Sequence, residues 1–242
     1  MGGLGMRSDK RPGWMLDELT SAGRENLDAE HAARYDDKED AQAGAEVEIL
    51  ASLGLSTGST LVDLGAGTGQ LVFASAPRCA RVVAVDVSQV MLDVIRTKLR
   101  SRPLSNVEVV QAGFLSYEHQ GGPADFIYSR WALHHLPDFW KSMALTRMRT
   151  FVGVGGILRL SDIVYSFPPS EAADRIEEWC ATLPNHATEG EWVRADIEEH
   201  VRDENSTYSW LLEPMIERSG FRIDDAEYST DGFEARYIAT AV

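Results

Sequence analysis

The sequence has few of the features that mark secreted or membrane-spanning proteins. Its 242 residues include only two cysteines, Cys79 and Cys180. Two cysteines cannot form a disulfide framework, so we expect both to be buried thiols in a reducing compartment. No apolar run is long enough to span a bilayer, and the basic residues among positions 7–11 precede no apolar stretch of the signal-peptide kind. These absences predict a cytoplasmic protein.

Basic residues are also scarce. Lys and Arg number 23 against 38 Asp and Glu, which gives a formal net charge of −15. Nucleic acids and anionic membranes both attract basic surfaces, so the charge disfavours either as a partner. It is compatible with a neutral or cationic small-molecule substrate. The sequence does not specify an oligomeric state, although a homodimer is compatible with it.

A glycine-rich segment at residues 61–70 organises the chain. Its apolar start predicts a buried strand, the residues from Gln70 onward predict a helix, and Gly65, Gly67 and Gly69 lie between the two. Such a loop lets a ligand approach the backbone and presents helix N–H groups to it. However, Gln70 replaces the third glycine of the dinucleotide fingerprint, and Asp63 would repel a pyrophosphate. The segment therefore predicts a loop that favours a cationic ligand over a dinucleotide.

The remaining strand signals predict an α/β fold with a doubly wound parallel sheet. A second strand ends in Asp86, about 20 residues after the loop, a spacing that suits a carboxylate on ribose hydroxyls. Further strands are predicted at 107–111, 124–129 and 157–162, with Gly153, Gly155 and Gly156 forming the turn into the last of these. They alternate with helices, as in doubly wound sheets. Alternating residues at 221–228 and 235–241 predict an antiparallel hairpin at the C-terminal sheet edge.

Composition divides the chain into four parts. Residues 1–54 are expected to form a tail and cap helices, with amphipathic pieces starting at 14 and 27, and residues 55–162 to form the cofactor-binding core. The acidic, aromatic stretch at 163–207 predicts a helical lid, and residues 208–242 a helix and hairpin that complete the core. An aromatic pocket under the lid is expected from five tryptophans: Trp14, Trp131, Trp179, Trp192 and Trp210.

These motifs resemble those of class I S-adenosylmethionine-dependent methyltransferases. Residues 62–69 (VDLGAGTG) are similar to the first motif of that family, and residues 83–92, from VAVDVS to Met91-Leu92, to the second. Residues 132–136 (ALHHL) resemble the signature after strand four in the small-molecule branch, of type 11 and type 25, which includes the ubiquinone and menaquinone methyltransferases. The resemblance covers residues 61–162 and implies a Rossmann-like fold, S-adenosylmethionine as cofactor, S-adenosylhomocysteine as product and a small organic methyl acceptor.

The resemblance also implies where the cofactor binds. Asp63 and the glycine loop would hold its methionine part, and Asp86 its ribose hydroxyls. The positions around adenine include Gly113, in a loop where many proteins carry a carboxylate. Arg130 is unusual at the end of strand four, and Tyr35 is equally compatible with ligand contact and with packing. The predicted cofactor-binding residues are Tyr35, Asp63, Gly65, Ala66, Gly67, Thr68, Gly69, Asp86, Val87, Met91, Gly113, Phe114, Ser129 and Arg130.

Two adjacent histidines are the candidates for catalysis. Methyl transfer from a sulfonium is an in-line displacement, so much of the rate enhancement comes from positioning. A hydroxyl acceptor also requires proton removal, for which imidazole is suited. His134 and His135 follow strand four, where a base could face the ligand, although one of such a pair commonly packs or caps a helix. His186 and Tyr208 are weaker candidates. The cysteine and histidine spacings predict no metal site.

Two alternatives remain at this stage. An NAD-linked oxidoreductase is disfavoured by Gln70 and Asp63, for the reasons given above. A non-catalytic S-adenosylmethionine-binding or interaction protein is compatible with the same motifs, because class I methyltransferases need no invariant catalytic residue. The sequence specifies neither the acceptor atom nor the substrate.

Overall fold

The computed structural model describes residues 12–20, 42–184 and 192–242. The strands are β1 (Thr60–Leu64), β2 (Arg81–Asp86), β3 (Val107–Gln111), β4 (Ala124–Arg130), β5 (Val152–Tyr165), β6 (Thr207–Tyr208), β7 (Phe221–Tyr228) and β8 (Glu234–Ala241). The helices are α1 (Ala43–Ser52), α2 (Gln70–Ser75), α3 (Gln89–Ser101), α4 (Asp138–Phe151), α5 (Ala172–Ala181), α6 (Arg194–Asp203) and α7 (Ser209–Arg218). None of the described helices is long and apolar enough to cross a membrane.

The strands form a mixed sheet in the order β3-β2-β1-β4-β5-β8-β7. Strands β1 to β5 are parallel, whereas β8 is antiparallel to both β5 and β7. The short β6 pairs with Val164 and Tyr165, past the last residue of β5 that pairs with β4. The predicted fold class, a doubly wound parallel sheet with an antiparallel C-terminal edge, is confirmed. The order reverses between β1 and β4, which is where doubly wound sheets bind ligands.

Helices cover both faces of the sheet because the central strands are apolar on both sides. Leu61 and Val82 pack on one face with residues of α1, α2 and α3. Val62 and Val83 point to the other face and pack with residues of α4 and α7. Continuous apolar strands of this kind are typical of parallel sheets buried between helices. This packing leaves the carboxyl ends of β1 to β4 as the edge at which polar groups gather.

Helix α1 is fastened to the sheet by a buried ion pair. The guanidinium of Arg159, in β5, donates from Nε and Nη2 to the two carboxylate oxygens of Glu46 at 3.0 and 3.1 Å. The Arg159 side chain is only 3% exposed. A bidentate pair with this geometry fixes orientation as well as contact. It therefore sets the position of α1 on the face of the sheet that covers the glycine loop.

Two local predictions differ from the structure, and a third is not tested by it. Within residues 12–20 the chain forms turns instead of the expected amphipathic helix, and the predicted piece at 27–36 lies outside the described residues. Strand β5 starts at Val152, so the three glycines lie inside the strand and not in a turn before it. A register shift between the Ala124 and Phe126 pairs accommodates them, and Gly155 adopts a φ of +80° there.

The expected pocket of tryptophans is also wrong. Trp14, Trp192 and Trp210 are exposed by 64%, 40% and 56%. Trp179 packs instead with the aromatic cluster of Tyr165, Phe167 and Phe233. Only Trp131 among these five lines the pocket at the carboxyl edge of the sheet. Spacing along the sequence could not reveal this, because each tryptophan's neighbours come from other elements.

Candidate functional site

The site is a pocket at the carboxyl edge of the sheet. It lies over the ends of β1, β2, β3 and β4 and is bordered by the N-terminal segment 12–20. Parallel sheets place ligands in this position because the strand ends leave a crevice where the strand order reverses. The residues that line it are Glu18, Leu64, Gly65, Gly67, Val85, Asp86, Val87, Ala112, Gly113, Phe114, Arg130, Trp131, Ala132, His135 and Leu136.

The glycine loop after β1 is held close to the neighbouring strands. The N–H groups of Gly65 and Ala66 both donate to the carbonyl of Val85, at 2.9 and 3.0 Å. Gly65 has a φ of +78°, and a Cβ there would lie 2.4 Å from the Cβ of Ala132. Only glycine satisfies both conditions without strain. The loop can therefore lie flat against the turn after β4 and leave the pocket open above it.

The carboxylate of Asp86 ties the end of β2 to this loop. Its Oδ2 accepts the N–H of Gly67 and its Oδ1 accepts the N–H of Ser88, both at 2.8 Å. Burial raises the pKa of Asp86, while these N–H groups act to lower it. The carboxylate is 9% exposed and lines the pocket. Since each carboxylate oxygen can accept a further hydrogen bond, Asp86 can also hold two neighbouring hydroxyls of a ligand.

Asp63 is buried within β1, beneath the loop. Burial, and then the charge of nearby Asp86, raise the pKa of Asp63 to about 8. Near neutral pH the group is therefore mostly a neutral acid. A cation placed beside it would favour the ionised form. The pair of carboxyls under one loop thus makes this end of the pocket suited to a positively charged ligand.

Glu18 is a pocket residue that the sequence analysis missed. Its Oε1 accepts the N–H of Leu115 at 2.8 Å, and its Oε2 accepts the hydroxyl of Ser116 at 3.0 Å. A Cβ built on Gly113 would lie 2.3 Å from that Oε1, so the carboxylate occupies the space that a side chain at 113 would fill. The signal was present in the sequence: Gly113 stands where many ligand loops carry an acid.

The opposite wall of the pocket, after β4, carries polar atoms without partners. The guanidinium of Arg130 lies 3.9 Å from the ring centre of Trp131, and Trp131 has a φ of +49°. Within the described residues, the buried Nε1 of Trp131 and Nδ1 of His135 have no hydrogen-bond partner. Buried polar atoms in proteins are nearly always paired. These two, in a pocket wall, are available to a bound ligand.

His134 and His135 differ in their surroundings although they are adjacent. His135 lines the pocket, and burial, together with the charge on His134, lowers its pKa to about 3. His134 is buried outside the pocket lining, with its Nδ1 at 2.5 Å from Oδ1 of Asp162 and its Nε2 at 3.0 Å from Oε2 of Glu204. Burial alone would lower the pKa of His134, but the two carboxylates raise it to about 10. Only His135 is therefore placed to touch a substrate.

Half of the sequence-predicted site residues come together in the pocket. These are Gly65, Gly67, Asp86, Val87, Gly113, Phe114, Arg130 and His135. Met91 is fully buried in the first turn of α3, whose N-cap is Ser88. Asp63, Ala66, Thr68, Gly69, Ser129 and His134 lie beneath or beside the pocket without lining it. Tyr35 and His186 lie outside the described residues.

Comparisons with known proteins find similarity to methyltransferases. The family described as a methyltransferase domain, of type 25, matches residues 61–156. An uncharacterized methyltransferase of Geobacillus kaustophilus is 29% identical over 132 residues, which cover 54% of this chain and 59% of that protein. The demethylmenaquinone methyltransferase of Lactococcus lactis is 28% identical over 95 residues, 38% of each chain. The match thus spans 59% or less of the length of these relatives.

A solved structure shows the same fold over nearly the whole chain. The magnesium protoporphyrin IX methyltransferase of Synechocystis, with bound S-adenosylmethionine, superposes with a TM-score of 0.62. The alignment covers 96% of this chain and 100% of that one, at 15% identity. At this level of identity the likeness concerns the fold alone.

Proposed function

We propose that this protein transfers the methyl group of S-adenosylmethionine to a small organic acceptor, because residues 61–156 match a methyltransferase-domain family. The observation that carries the proposal is the division of the pocket. Its β2 side presents Asp86, which suits ribose hydroxyls, and its β4 side presents the unpartnered polar atoms of Trp131 and His135. One side can therefore hold the cofactor while the other positions an acceptor.

The cofactor, when bound, supplies an electrophilic methyl group on a sulfonium. Asp86 would bind the ribose hydroxyls, and the open backbone at Gly65 and Gly67 would let the methionine part lie close to β1. Asp63 beneath the loop favours the cationic amino group. A neutral His135 would accept a hydrogen bond from an acceptor hydroxyl or amine. Holding the acceptor atom about 3–3.5 Å from the methyl carbon supplies much of the rate enhancement.

Glu18 is suited to the adenine end of the cofactor. It lies beside Gly113 and Phe114, at the end of β3, and lines the same pocket as Asp86. Its two oxygens accept from Leu115 and Ser116, and its carboxylate borders the part of the pocket next to Gly113. An exocyclic amino group is a hydrogen-bond donor that a carboxylate can accept. We therefore assign adenine recognition to a residue of the N-terminal segment and not to the loop after β3.

Replacing Glu18 should remove the preference for an amino group on the purine. We expect Glu18→Ala to weaken binding of S-adenosylhomocysteine about 10-fold or more, because a hydrogen bond to a charged group contributes ~1.5–3 kcal/mol. Binding of S-inosylhomocysteine, which carries an oxygen in place of the amino group, should change little. Calorimetric titration of both ligands measures the difference.

The control for Glu18→Ala is a variant that weakens the packing of residues 12–20 and leaves the Glu18 carboxylate in place. Trp14 stacks on Trp140, with ring centroids 6.1 Å apart, so Trp14→Ala weakens the attachment of residues 12–20. We expect this variant to keep the preference for the amino-bearing ligand. If Glu18→Ala still preferred S-adenosylhomocysteine over S-inosylhomocysteine as strongly as the unchanged protein does, the assignment of Glu18 to adenine would be wrong.

A small acceptor is supported by the surface charge and by the relatives. The net charge of −15 disfavours nucleic acid, and the sequence relatives named above include a demethylmenaquinone methyltransferase, whose name gives a small organic acceptor.

The test is a methyl-transfer screen with the full chain. Phenols, carboxylic acids, amines and thiols would be incubated singly with the cofactor, and product formation followed by the mass increase of one methylene and by release of S-adenosylhomocysteine. We expect turnover of at least one class, abolished by Asp86→Ala. Tight cofactor binding without any turnover would favour a non-catalytic binding protein, and methylation of added RNA or DNA alone would overturn the small-molecule proposal. Binding of NAD alone would overturn the cofactor assignment.

A further inference from the structure

A second cluster of functional side chains lies behind the β4 wall of the pocket. It joins His134, in the short 3-10 turn after β4, to His200 in α6 and to Glu204, the residue directly after α6. One ligand-type atom from each of the three residues lies within 4.8 Å of the other two. Their side chains are 7%, 12% and 17% exposed. The cluster is thus nearly enclosed, and the methyl-transfer proposal gives it no role.

The contacts within the cluster are close ion pairs with poor hydrogen-bond alignment. Oε2 of Glu204 lies 3.0 Å from Nε2 of His134 and also contacts Nδ1 of His200. Nevertheless this buried oxygen has no partner with hydrogen-bond geometry in the described part of the chain. Two ring nitrogens thus converge on one carboxylate oxygen, as the ligands of a shared cation do.

Each imidazole is oriented by a second partner on its other nitrogen. Nδ1 of His134 lies 2.5 Å from Oδ1 of Asp162, whose Oδ2 also accepts the backbone N–H of His134 at 3.0 Å. Nε2 of His200 lies 2.9 Å from Oγ of Ser206. Metal-binding histidines commonly carry such a partner, since it fixes the tautomer and raises the basicity of the coordinating nitrogen. The cluster therefore has an outer layer of contacts as well as three ligands.

We propose that Nε2 of His134, Nδ1 of His200 and the carboxylate of Glu204 bind a divalent transition-metal ion of the zinc class. Two imidazoles and one carboxylate suit zinc and its neighbours, whereas calcium and magnesium prefer oxygen ligands alone. Three protein ligands leave one coordination position for water or for an acceptor atom. The ion would fasten the end of α6 to the turn after β4, whose next residue, His135, lines the methyl-transfer pocket.

Zinc binding to the full, tag-free chain tests this proposal without any assay of methyl transfer. After chelator treatment, Zn²⁺ would be titrated calorimetrically against a competing chelator, and Co²⁺ would report coordination through its visible absorption. We expect one ion per chain. His200→Gln and Glu204→Gln should each weaken binding by at least ~100-fold, since losing even an outer-layer partner typically costs ~10–100-fold.

The control and the folding check use the same chain. His119 bonds Tyr117 and the carbonyl of Gly122. It precedes β4, whereas His134 follows that strand, and His119→Gln should bind zinc like the unchanged protein. Saturating zinc should raise the melting temperature of the unchanged protein but not of the two cluster variants. If His200→Gln fails to fold, zinc binding by the near-isosteric Glu204→Gln variant tests the proposal instead. The proposal would be overturned if the unchanged protein did not bind zinc. It would also be overturned if Glu204→Gln bound zinc as tightly as the unchanged protein does.

Discussion

Replacing Asp86 with alanine should weaken binding of S-adenosylhomocysteine by about 100-fold or more. The carboxylate is the group at the end of β2 that can accept both ribose hydroxyls, and hydrogen bonds to a charged acceptor contribute ~1.5–3 kcal/mol each. The change also frees the N–H groups of Gly67 and Ser88, which Asp86 holds at 2.8 Å. The glycine loop should therefore lose part of its preorganisation. Calorimetric titration with S-adenosylhomocysteine measures the combined loss.

A neighbouring variant separates lost ribose contacts from general local damage. Ser88 caps α3 by accepting the N–H of Met91 at 3.2 Å, and it does not line the pocket. Ser88→Ala should cost ~1 kcal/mol of stability yet leave the affinity within about threefold, a margin below ~1 kcal/mol. If Asp86→Ala bound S-adenosylhomocysteine as well as Ser88→Ala did, the ribose assignment of Asp86 would be wrong.

Gly65→Ala should be among the most destabilising single substitutions in the described chain. The new Cβ would lie 2.4 Å from the Cβ of Ala132, and the backbone there has a φ of +78°. Forcing an L-residue into that conformation costs ~1–2 kcal/mol, and overpacking costs a further ~1–3 kcal/mol. At ~2–4 °C per kcal/mol for a chain of this size, we expect the melting temperature to fall by about 10 °C. Thermal unfolding without ligand measures it.

Gly67→Ala is the matched control, two residues further along the same loop. Gly67 has a φ of +51°, and a Cβ there would meet no protein atom within 4 Å. Gly67→Ala should lower the melting temperature by only ~2–8 °C, because it adds backbone strain without the overlap at Ala132. The double variant Gly65→Ala/Ala132→Gly should recover part of the loss, because it removes the overlap and keeps the strain. Equal destabilisation by Gly65→Ala and Gly67→Ala would show that contact with Ala132 is unimportant.

The lining of the pocket divides into residues that sequence reasoning could find and residues that it could not. Gly65, Gly67 and Asp86 belong to one strand-loop-helix unit and the strand that follows it, so their spacing alone indicated a ligand loop with a ribose carboxylate. Glu18 reaches the pocket from a position 97 residues before the backbone group that it binds. No local pattern connects two such distant positions, although the glycine at 113 marked where a carboxylate was missing.

The histidine pair illustrates the same limit. The sequence predicted that a base could follow β4, and it offered His134 and His135 as equals. The fold separates them: Asp162 and Glu204 enclose His134, whereas His135 lines the pocket. His200 lies in α6 and Glu204 directly after it, four residues on, a spacing that brings the two side chains together. That spacing could have marked His200 and Glu204 as neighbours, but no local sequence pattern connects them to His134.

The sequence by itself determined the order of strands and helices, the glycine loop and the acid after β2. These depend on hydrophobic periodicity and on backbone requirements that a few neighbouring residues satisfy. Tertiary structure decided which side chains share a space: Glu18 beside Gly113, His134 with His200 and Glu204, and Trp131 without the other tryptophans. Such neighbours depend on how distant elements pack, and packing is settled by the burial of the whole chain and not by any one segment.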